Sequence, residues 1–537
     1  MTNPSTPDET ATGTGARTDV AARTVVAART VPVAGTRPPV RLAAALGLIA
    51  VAISAVGSWI PSFWGDEAAS VMSAQRPLPS LLHMVGHIDA VHGLYYLGLH
   101  FWIDLFGASP FSTRLPSAFA VGAMVAGVVL LVDRLGTRRL AVLAGVVAAV
   151  LPRVTSMGTE TRSYAFGAAL AVWSTWALVR IVTSRHRASR ADWVVYGVLA
   201  GLGVAVFIYF GLIVGVHALL LLALARDRDA MLRAVKPWAR TVAVALAAVS
   251  PIVVFSVAQR EQVSFLARRD TTSPTALLID LWFGDARFAV VAWLLVGVAV
   301  VTLVVRLLRR SRDGWVAALS VTPRGRLTVV AVLLAFVPAA ALLALNLVVP
   351  AFSGRYLSFS APAVAILVAI GIDVLASRRT AVAVLGGALV VGLAVPVWLD
   401  QRGPYAKNAT GWQDLSALVG EHAGAGDAIV FDGSPKPSIE PRLALHTYPD
   451  GFEGLRDVTL KTPFVDAEGW RDDVLTVPEA AAAGRFDDVE RVWFIEYVAA
   501  DGSTSPRSGL KELLGDGYAE VASFDTHRAR LVELERR

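Results

Sequence analysis

The chain has no cysteine in its 537 residues. That excludes disulfides, thiolate metal sites and cysteine nucleophiles. Charge is scarce as well. Asp, Glu, Lys and Arg make up 17%, against 55% for AVILMFWYC, a balance too apolar for a soluble protein of this length. Lysine is nearly missing, with 5 residues against 44 arginines. Together with abundant Ala and Val, this points to a GC-rich bacterial genome. The net charge of +6 comes from loop arginines and gives no reason to expect nucleic acid as a partner.

Long apolar runs take the place of the missing charge. A helix needs about 20 apolar residues to cross a bilayer. Crossings are expected at 41–60, 112–132, 139–152, 163–183, 192–207, 210–225, 238–256, 286–307, 327–349, 357–376 and 380–398. The run Gly93–Gly107 is too short. Tyr95, Leu99, Trp102 and Phe106 would share one helical face, and Tyr96, His100 and Asp104 another. It reads as a helix lying in the interface. Residues 1–40 are rich in Thr, Ala, Pro and Gly and read as a disordered cytoplasmic tail. The first apolar run starts too late for a cleaved signal peptide.

Positive charge sets the orientation. With the N-terminus inside, the inner segments 1–41, 133–140, 180–192, 226–240, 306–326 and 377–379 hold 25 Lys and Arg, and the outer segments 61–114, 153–162, 257–287 and 350–356 hold 9. A further crossing at 93–107 would put DRLGTRR and RIVTSRHRASR outside. The expected architecture is therefore a mainly α polytopic bundle of about eleven spans, residues 41–398. Its first outer loop carries interfacial helices. The chain from 399 to 537 reads as a small extracytoplasmic α/β domain. In it, DAIVF (427–431) and RVWFIEY (491–497) read as buried strands. WQDLSALVGEH (412–422) and LKELLG (510–515) read as helices, and YAEVASFD with RARLVELE as a hairpin. That domain has no phosphate-loop or dinucleotide pattern. Asn408-Ala-Thr matches a glycosylation acceptor, which in a bacterial chain is best explained by chance.

Four polar loops fall on the outer side and carry the distinctive residues. The first holds FWGDEAAS, with Asp66 and Glu67 just past the first apolar run. Carboxylates are costly near lipid, so the pair reads as catalytic at the membrane surface, against the plain alternative of an acidic water-facing loop. The others hold TETRSYA (159–165), QREQVSFLARRDTTSP (259–274) and FSGRYLSF (352–359). Unusual residues converging on one face mark a candidate site.

Taken in order, WGDEA (64–68), HGLYYLGLHFWIDLFG with STRLPSA (92–118), ETRSYA (160–165) and GRYLSF (354–359) resemble the GT-C superfamily of integral-membrane glycosyltransferases. Within it the chain looks like the branch of protein O-mannosyltransferases and aminoarabinose lipid A transferases. The likeness spans roughly residues 41–380. It implies transfer of a sugar from a polyprenyl-phosphate donor, usually with inversion. Mannose is the sugar implied by the mannosyltransferase branch. The acceptor is a protein, a glycolipid or a polysaccharide outside a bacterial cell membrane. Asp66 matches the family's catalytic position and is assigned as general base. Neighbours on a helix point about 100° apart, so Glu67 has a different part, orienting a loop or contacting the sugar.

A leaving lipid phosphate needs cationic, bidentate donors at headgroup depth. Arg355 with Tyr356, and Arg162 with Tyr164, stand at that depth. Arg355 also reads as an ordinary interfacial arginine. Arg268 and Arg269 read either as a clamp over the phosphate or as a solvated pair. Glu160 reads as a partner for Arg162, a second acid or a substrate contact, and Arg114 as structural. His83, His87 and His92 cluster in the first outer loop. The i, i+4 spacing of His83 and His87 permits a metal, but no Glu completes a zincin pattern. Substrate hydroxyl contacts by His87 and His92 are preferred, and no metal or other cofactor is assigned. A transporter or flippase is the main competing class. It would show repeats and ionisable residues at mid-membrane. A non-catalytic envelope-assembly protein would share every span.

Overall fold

The computed structural model describes residues 38–184, 187–225, 228–262, 271–310, 323–515 and 517–537. The expected tail, save 38–40, lies outside the described residues, as do Arg268 and Arg269. Helices run through all eleven apolar segments. They are Val40–Ala55, Pro110–Leu135, Arg138–Val150, Tyr164–Thr183, Arg190–Val206, Gly211–Leu224, Arg228–Ala258, Ala286–Arg310, Pro323–Asn346, Ala361–Ala376 and Thr380–Asp400. Among the described residues, 7 helices are long and apolar enough to cross a membrane; Val40–Ala55 and Ile208–Leu224 are shorter. Without a hydrophobic drive between helices in lipid, close backbone approach holds such bundles together. The helices Val40–Ala55 and Pro110–Leu135 cross at Gly47 and Gly122. A Cβ on Gly47 would stand 2.7 Å from the Gly122 carbonyl oxygen.

The first loop holds three more helices, Gly65–Gln75, Leu78–His87 and Gly93–Phe106. The last was expected to present two faces along its length. Instead burial changes from one end to the other. Tyr95, Tyr96, Leu99 and His100 are buried, whereas Phe101, Leu105 and Phe106 are exposed. The buried half is sandwiched. His100 Nδ1 lies 2.8 Å from the Ala74 carbonyl, and Tyr95 meets Phe166 edge-on. An exposed apolar end on a short helix fits the membrane interface.

Past Asp400 the chain builds a five-stranded mixed sheet. Its spatial order is Arg456–Asp457, Ala428–Phe431, Arg491–Tyr497, Ala529–Arg536 and Tyr518–Thr526. The first two pairings are parallel and the last two antiparallel. Arg491–Tyr497 is central and buried on both faces, which is why its sequence is a continuous apolar run rather than an alternating one. The expected helices stand at Trp412–His422 and Leu510–Gly515.

The acidic helix belongs to both halves. Phe63, Ala68, Val71 and Met72 share one hydrophobic core with Trp412, Leu415, Ile429 and Trp493. Gly65 is pressed against the Ser438 backbone, so any Cβ there would overlap it. Arg76 donates to the Ala467 carbonyl at 3.1 Å and also to Phe464 and Gly469, tying the far end of the helix to the same domain.

Candidate active site

Asp66 and Glu67 occupy the first turn of the helix Gly65–Gln75. Carboxylates there meet unpaired N–H groups and the positive end of the helix dipole. Their surroundings then diverge. Glu67 is fully buried and forms a two-point ion pair with Arg114, Nε to Oε1 at 2.8 Å and Nη2 to Oε2 at 2.6 Å. The Thr161 backbone N–H also donates to Oε1, at 2.9 Å. Arg114 spends its Nη1 on the Ser58 and Pro61 carbonyls, 2.6 and 2.8 Å away. Burial pushes the Glu67 carboxyl up, but Arg114 outweighs it and holds the group below its ordinary range. Glu67 thus fastens the 160–165 loop to the acidic helix.

Asp66 faces outward. Its side chain is 27% exposed, and Arg355 Nη1 donates to Oδ2 at 2.6 Å. Arg355 lies on a 3₁₀ turn, Gly354–Ser360, and its guanidinium stacks 4.8 Å over the Trp64 ring. Beside it, Tyr356 stacks on Tyr209 at 4.9 Å, and Phe207 packs against Tyr164, Tyr209 and Tyr356. The pair therefore sits at the rim of an aromatic wall.

Arg162 braces the acidic helix. Its Nη1 donates to the Asp66 carbonyl and Ser70 Oγ, each at 3.2 Å. Its Nη2 donates to His92 Nε2 at 2.9 Å. Burial, with Arg162 alongside, pushes His92 far below its ordinary range, so the imidazole is neutral and accepts. Tyr96 donates to Asp89 Oδ2 at 3.1 Å, and burial raises the Asp89 carboxyl. Gln262 and Gln259 accept from the Asp89 and Ala90 backbone N–H groups at 3.2 and 2.8 Å. All four loops assigned to one side of the membrane thus contribute to one cluster. Glu160 is buried, and among the described residues its carboxylate takes no hydrogen bond. Burial raises it, with Lys407 and Arg355 as the opposing cations. His87 stands apart. It is exposed, and its Nδ1 meets the His83 carbonyl of its own helix at 2.8 Å. No group of three His, Cys, Asp or Glu that could hold a metal occurs among the described residues.

Sequence reasoning missed Trp64, Asp89, Arg153 and Lys407. Arg153 donates to the Leu281 and Asp280 carbonyls at 2.8 and 2.5 Å, beside Gly354. Trp64 lay within WGDEA, already singled out, whereas Asp89 lay between His87 and His92 and outside every motif. Lys407 carried one signal, its rarity.

Residues 94–255 match the family model described as dolichyl-phosphate-mannose-protein mannosyltransferase. That segment includes Glu160 and Arg162 and leaves Asp66 and Arg355 outside. No match was found among curated protein sequences. The fold resembles the crystal structure of ArnT from Cupriavidus metallidurans bound to undecaprenyl phosphate, with TM-score 0.54 and 12% identity over 91% of this chain and 97% of that one. The apo form of the same protein gives 0.52, with the same identity and coverage. An oligosaccharyltransferase from Archaeoglobus fulgidus, in complex with Zn and sulfate, gives 0.48 at 12% identity over 86% of this chain and 72% of that one. The chain thus has the fold of the GT-C superfamily of integral-membrane glycosyltransferases, the resemblance carried by its sequence motifs.

Proposed function

We propose that this chain moves a sugar from a polyprenyl-phosphate carrier to an acceptor hydroxyl, using Asp66 as general base and inverting the anomeric carbon. The observation that carries this reading is the Asp66–Arg355 pair, a part-exposed carboxylate joined at 2.6 Å to a guanidinium on an aromatic wall. A matched mannosyltransferase segment and an undecaprenyl-phosphate-bound relative in fold support it. The carrier's phosphate competes for Arg355 and draws it off Asp66. The freed carboxylate then takes the proton of the acceptor hydroxyl. The acceptor oxygen bonds to the anomeric carbon while the carbon–phosphate oxygen bond breaks. The electron pair leaves on the lipid phosphate, which Arg355 holds. Tyr356, Tyr164, Phe207 and Tyr209 line the approach for the isoprenoid.

Arg162 is assigned as a brace, because its Nη donors are already committed to Asp66, Ser70 and His92. Glu67 orients the 160–165 loop, and Glu160 faces substrate hydroxyls. Arg268 and Arg269 stay assigned to the phosphate by sequence position alone. Mannose is the sugar, by likeness to the matched family. The protein sits in a bacterial cell membrane with eleven crossings, its N-terminus cytoplasmic and the domain from residue 399 outside. The test incubates purified protein with labelled undecaprenyl-phosphate mannose and, separately, the arabinose analogue, with membrane extract as acceptor source. Label is expected to leave the mannose carrier with wild type and to stay on it with Asp66→Asn. Label retained on both carriers by wild type would sink the reading.

A further inference from the structure

We propose that the C-terminal domain is part of the catalytic centre, gripping both ends of the helix that carries Asp66, with Arg76, His446 and Tyr448 as positioning residues. The part assigned to Asp66 rests on the glycosyltransferase reading; the grip itself is tested apart from activity.

One short segment of that domain, the helix Leu443–Thr447 with Tyr448 after it, reaches both ends. At the near end, Tyr448 Oη accepts from the Phe63 N–H at 2.9 Å, just ahead of the helix Gly65–Gln75. Ser416 Oγ fixes Tyr448 in turn, donating to its carbonyl at 2.7 Å. The far end is reached through residues 463–472. His446 Nε2 donates to Asp472 Oδ2 at 2.7 Å, and the Phe464 N–H to Asp472 Oδ1 at 2.8 Å. The Phe464 ring stands edge-on to His446 at 4.8 Å. These contacts shape the segment into a cup of carbonyls, and Arg76 fills it. Its guanidinium donates to Ala467 at 3.1 Å and to Phe464 and Gly469. Ser80, which accepts from Arg76 at 3.2 Å, donates to the Val465 carbonyl.

Arg76 is 1% exposed, and its opposing charge, Asp466, acts only at longer range. Burying a guanidinium against carbonyl dipoles is costly, and an apolar contact would hold a fold as well. What the planar fork adds is direction, because it meets several acceptors at once. The helix has 11 residues, a length of about 16 Å. With both ends tied to one short segment, it moves only with the domain. A third tie lies between them. Arg471 donates to both Glu440 oxygens at 2.7 and 2.8 Å, and nearby Ser438 presses on Gly65, the residue before Asp66. Arg355 and Arg162, which meet Asp66, come from the membrane half. The C-terminal domain therefore sets where the base stands against Arg355. Displacing a reacting group by about 1 Å costs up to about 10²-fold in rate.

Hydrogen exchange of the full-length protein in detergent reads the grip. His446→Ala should speed exchange in residues 463–472 and in the last turn of the acidic helix, leaving Trp412–His422 as in wild type. His446→Gln should match wild type, because its amide donates to Asp472 from the same place. Arg76→Lys keeps the charge and loses the fork, so it should free the acidic helix too. Wild-type exchange across 65–76 in both His446→Ala and Arg76→Lys would overturn the grip. So would faster exchange across the whole C-terminal domain in both. Turnover of undecaprenyl-phosphate mannose gives the second readout, counted per molecule that binds labelled undecaprenyl phosphate. In His446→Ala and Arg76→Lys kcat should fall about tenfold with donor KM within about twofold, and His446→Gln should restore it. An unchanged kcat, or a loss confined to KM, would overturn the positioning role. A freed acidic helix in variants of a protein that turns over no lipid-linked sugar would leave the grip standing and remove the glycosyltransferase reading instead.

Discussion

The two ends of the helix bundle handle charge differently. At the end holding the acidic helix, Glu67 and Arg114 are both 0% exposed, and Asp66 and Arg355 keep only about a quarter of their surface. At the opposite end, Arg180 and Asp192 pair with side chains 45% and 27% exposed, and Arg138 with Asp133 at 44% and 19%. Asp373 is the exception there. It is buried, but its partners Arg139 and Arg324 remain near one-third exposed. An exposed pair is worth little, because water screens it and two long side chains must be immobilised. A buried pair carries a desolvation cost that persists whether or not the pair is used, and breaking it leaves a bare charge. Buried ions at one end therefore mark where the fold spends stability on geometry.

The largest expected effect separates the two carboxylates within that end. Asp66→Asn keeps shape and hydrogen-bonding atoms but cannot take a proton. Transfer should fall by about 10²–10⁴ with melting temperature little changed. Glu67→Gln should lose stability along with rate. Near-normal transfer by Asp66→Asn with a dead, stably folded Glu67→Gln would move the base one residue along.

Next in size is Arg114→Ala. It strips a fully buried carboxylate of its two-point partner, so about 3–5 kcal/mol of stability should be lost. Denaturant unfolding of wild type and variant in the same detergent measures it. The pH dependence has a fixed sign. Glu67 is held below its ordinary value in the fold, so the pair's contribution is present above the unfolded value and lost as pH falls through the folded one. Acid should erase the difference between wild type and Arg114→Ala. A difference constant from pH 7 down to acid unfolding would mean that the salt bridge is not its source.

Arg355→Ala comes third. Removing one charged phosphate contact should cost about 2–3 kcal/mol, seen as weaker use of the lipid donor. Arg355→Lys should lie between, since lysine keeps charge but loses the planar fork that meets both Asp66 and Trp64. Wild-type donor kinetics in Arg355→Ala would reduce Arg355 to an interfacial anchor.

The helices were legible because their signal is local. Apolar runs of membrane length, and strands such as Arg491–Tyr497, announce themselves in a short window. So did the acidic pair, because carboxylates beside an apolar run stand out. Which of the two would be buried was not legible. That depends on Arg114, 47 positions away, and on the Thr161 N–H, 94 away. The commitments of Arg162 were invisible for the same reason. Its spacing in ETRSYA fitted a phosphate ligand, and only the fold shows His92 and Ser70 taking its donors. The graded burial of Gly93–Phe106 escaped because periodicity reports faces, whereas here one end is covered by neighbouring elements.

The smallest expected effect tests the other end of the bundle. Arg180 pairs with Asp192, but Asp192 has a second employment. Its side chain accepts from the Ser189 N–H at 2.9 Å and Oγ at 2.8 Å, while Ser189 Oγ accepts from the Asp192 N–H at 3.2 Å, a reciprocal cap on the helix Arg190–Val206. Two hydrogen bonds from Ser189 hold that carboxylate alongside the one from Arg180. Arg180→Ala should thus cost no more than about 0.5–1 kcal/mol, and less in high salt. Asp192→Ala should cost about 1 kcal/mol, because it removes half of the cap as well. If Arg180→Ala instead cost as much as Arg114→Ala, burial would not be what distinguishes the two ends, and the buried ions around Asp66 would lose their standing as a sign of function.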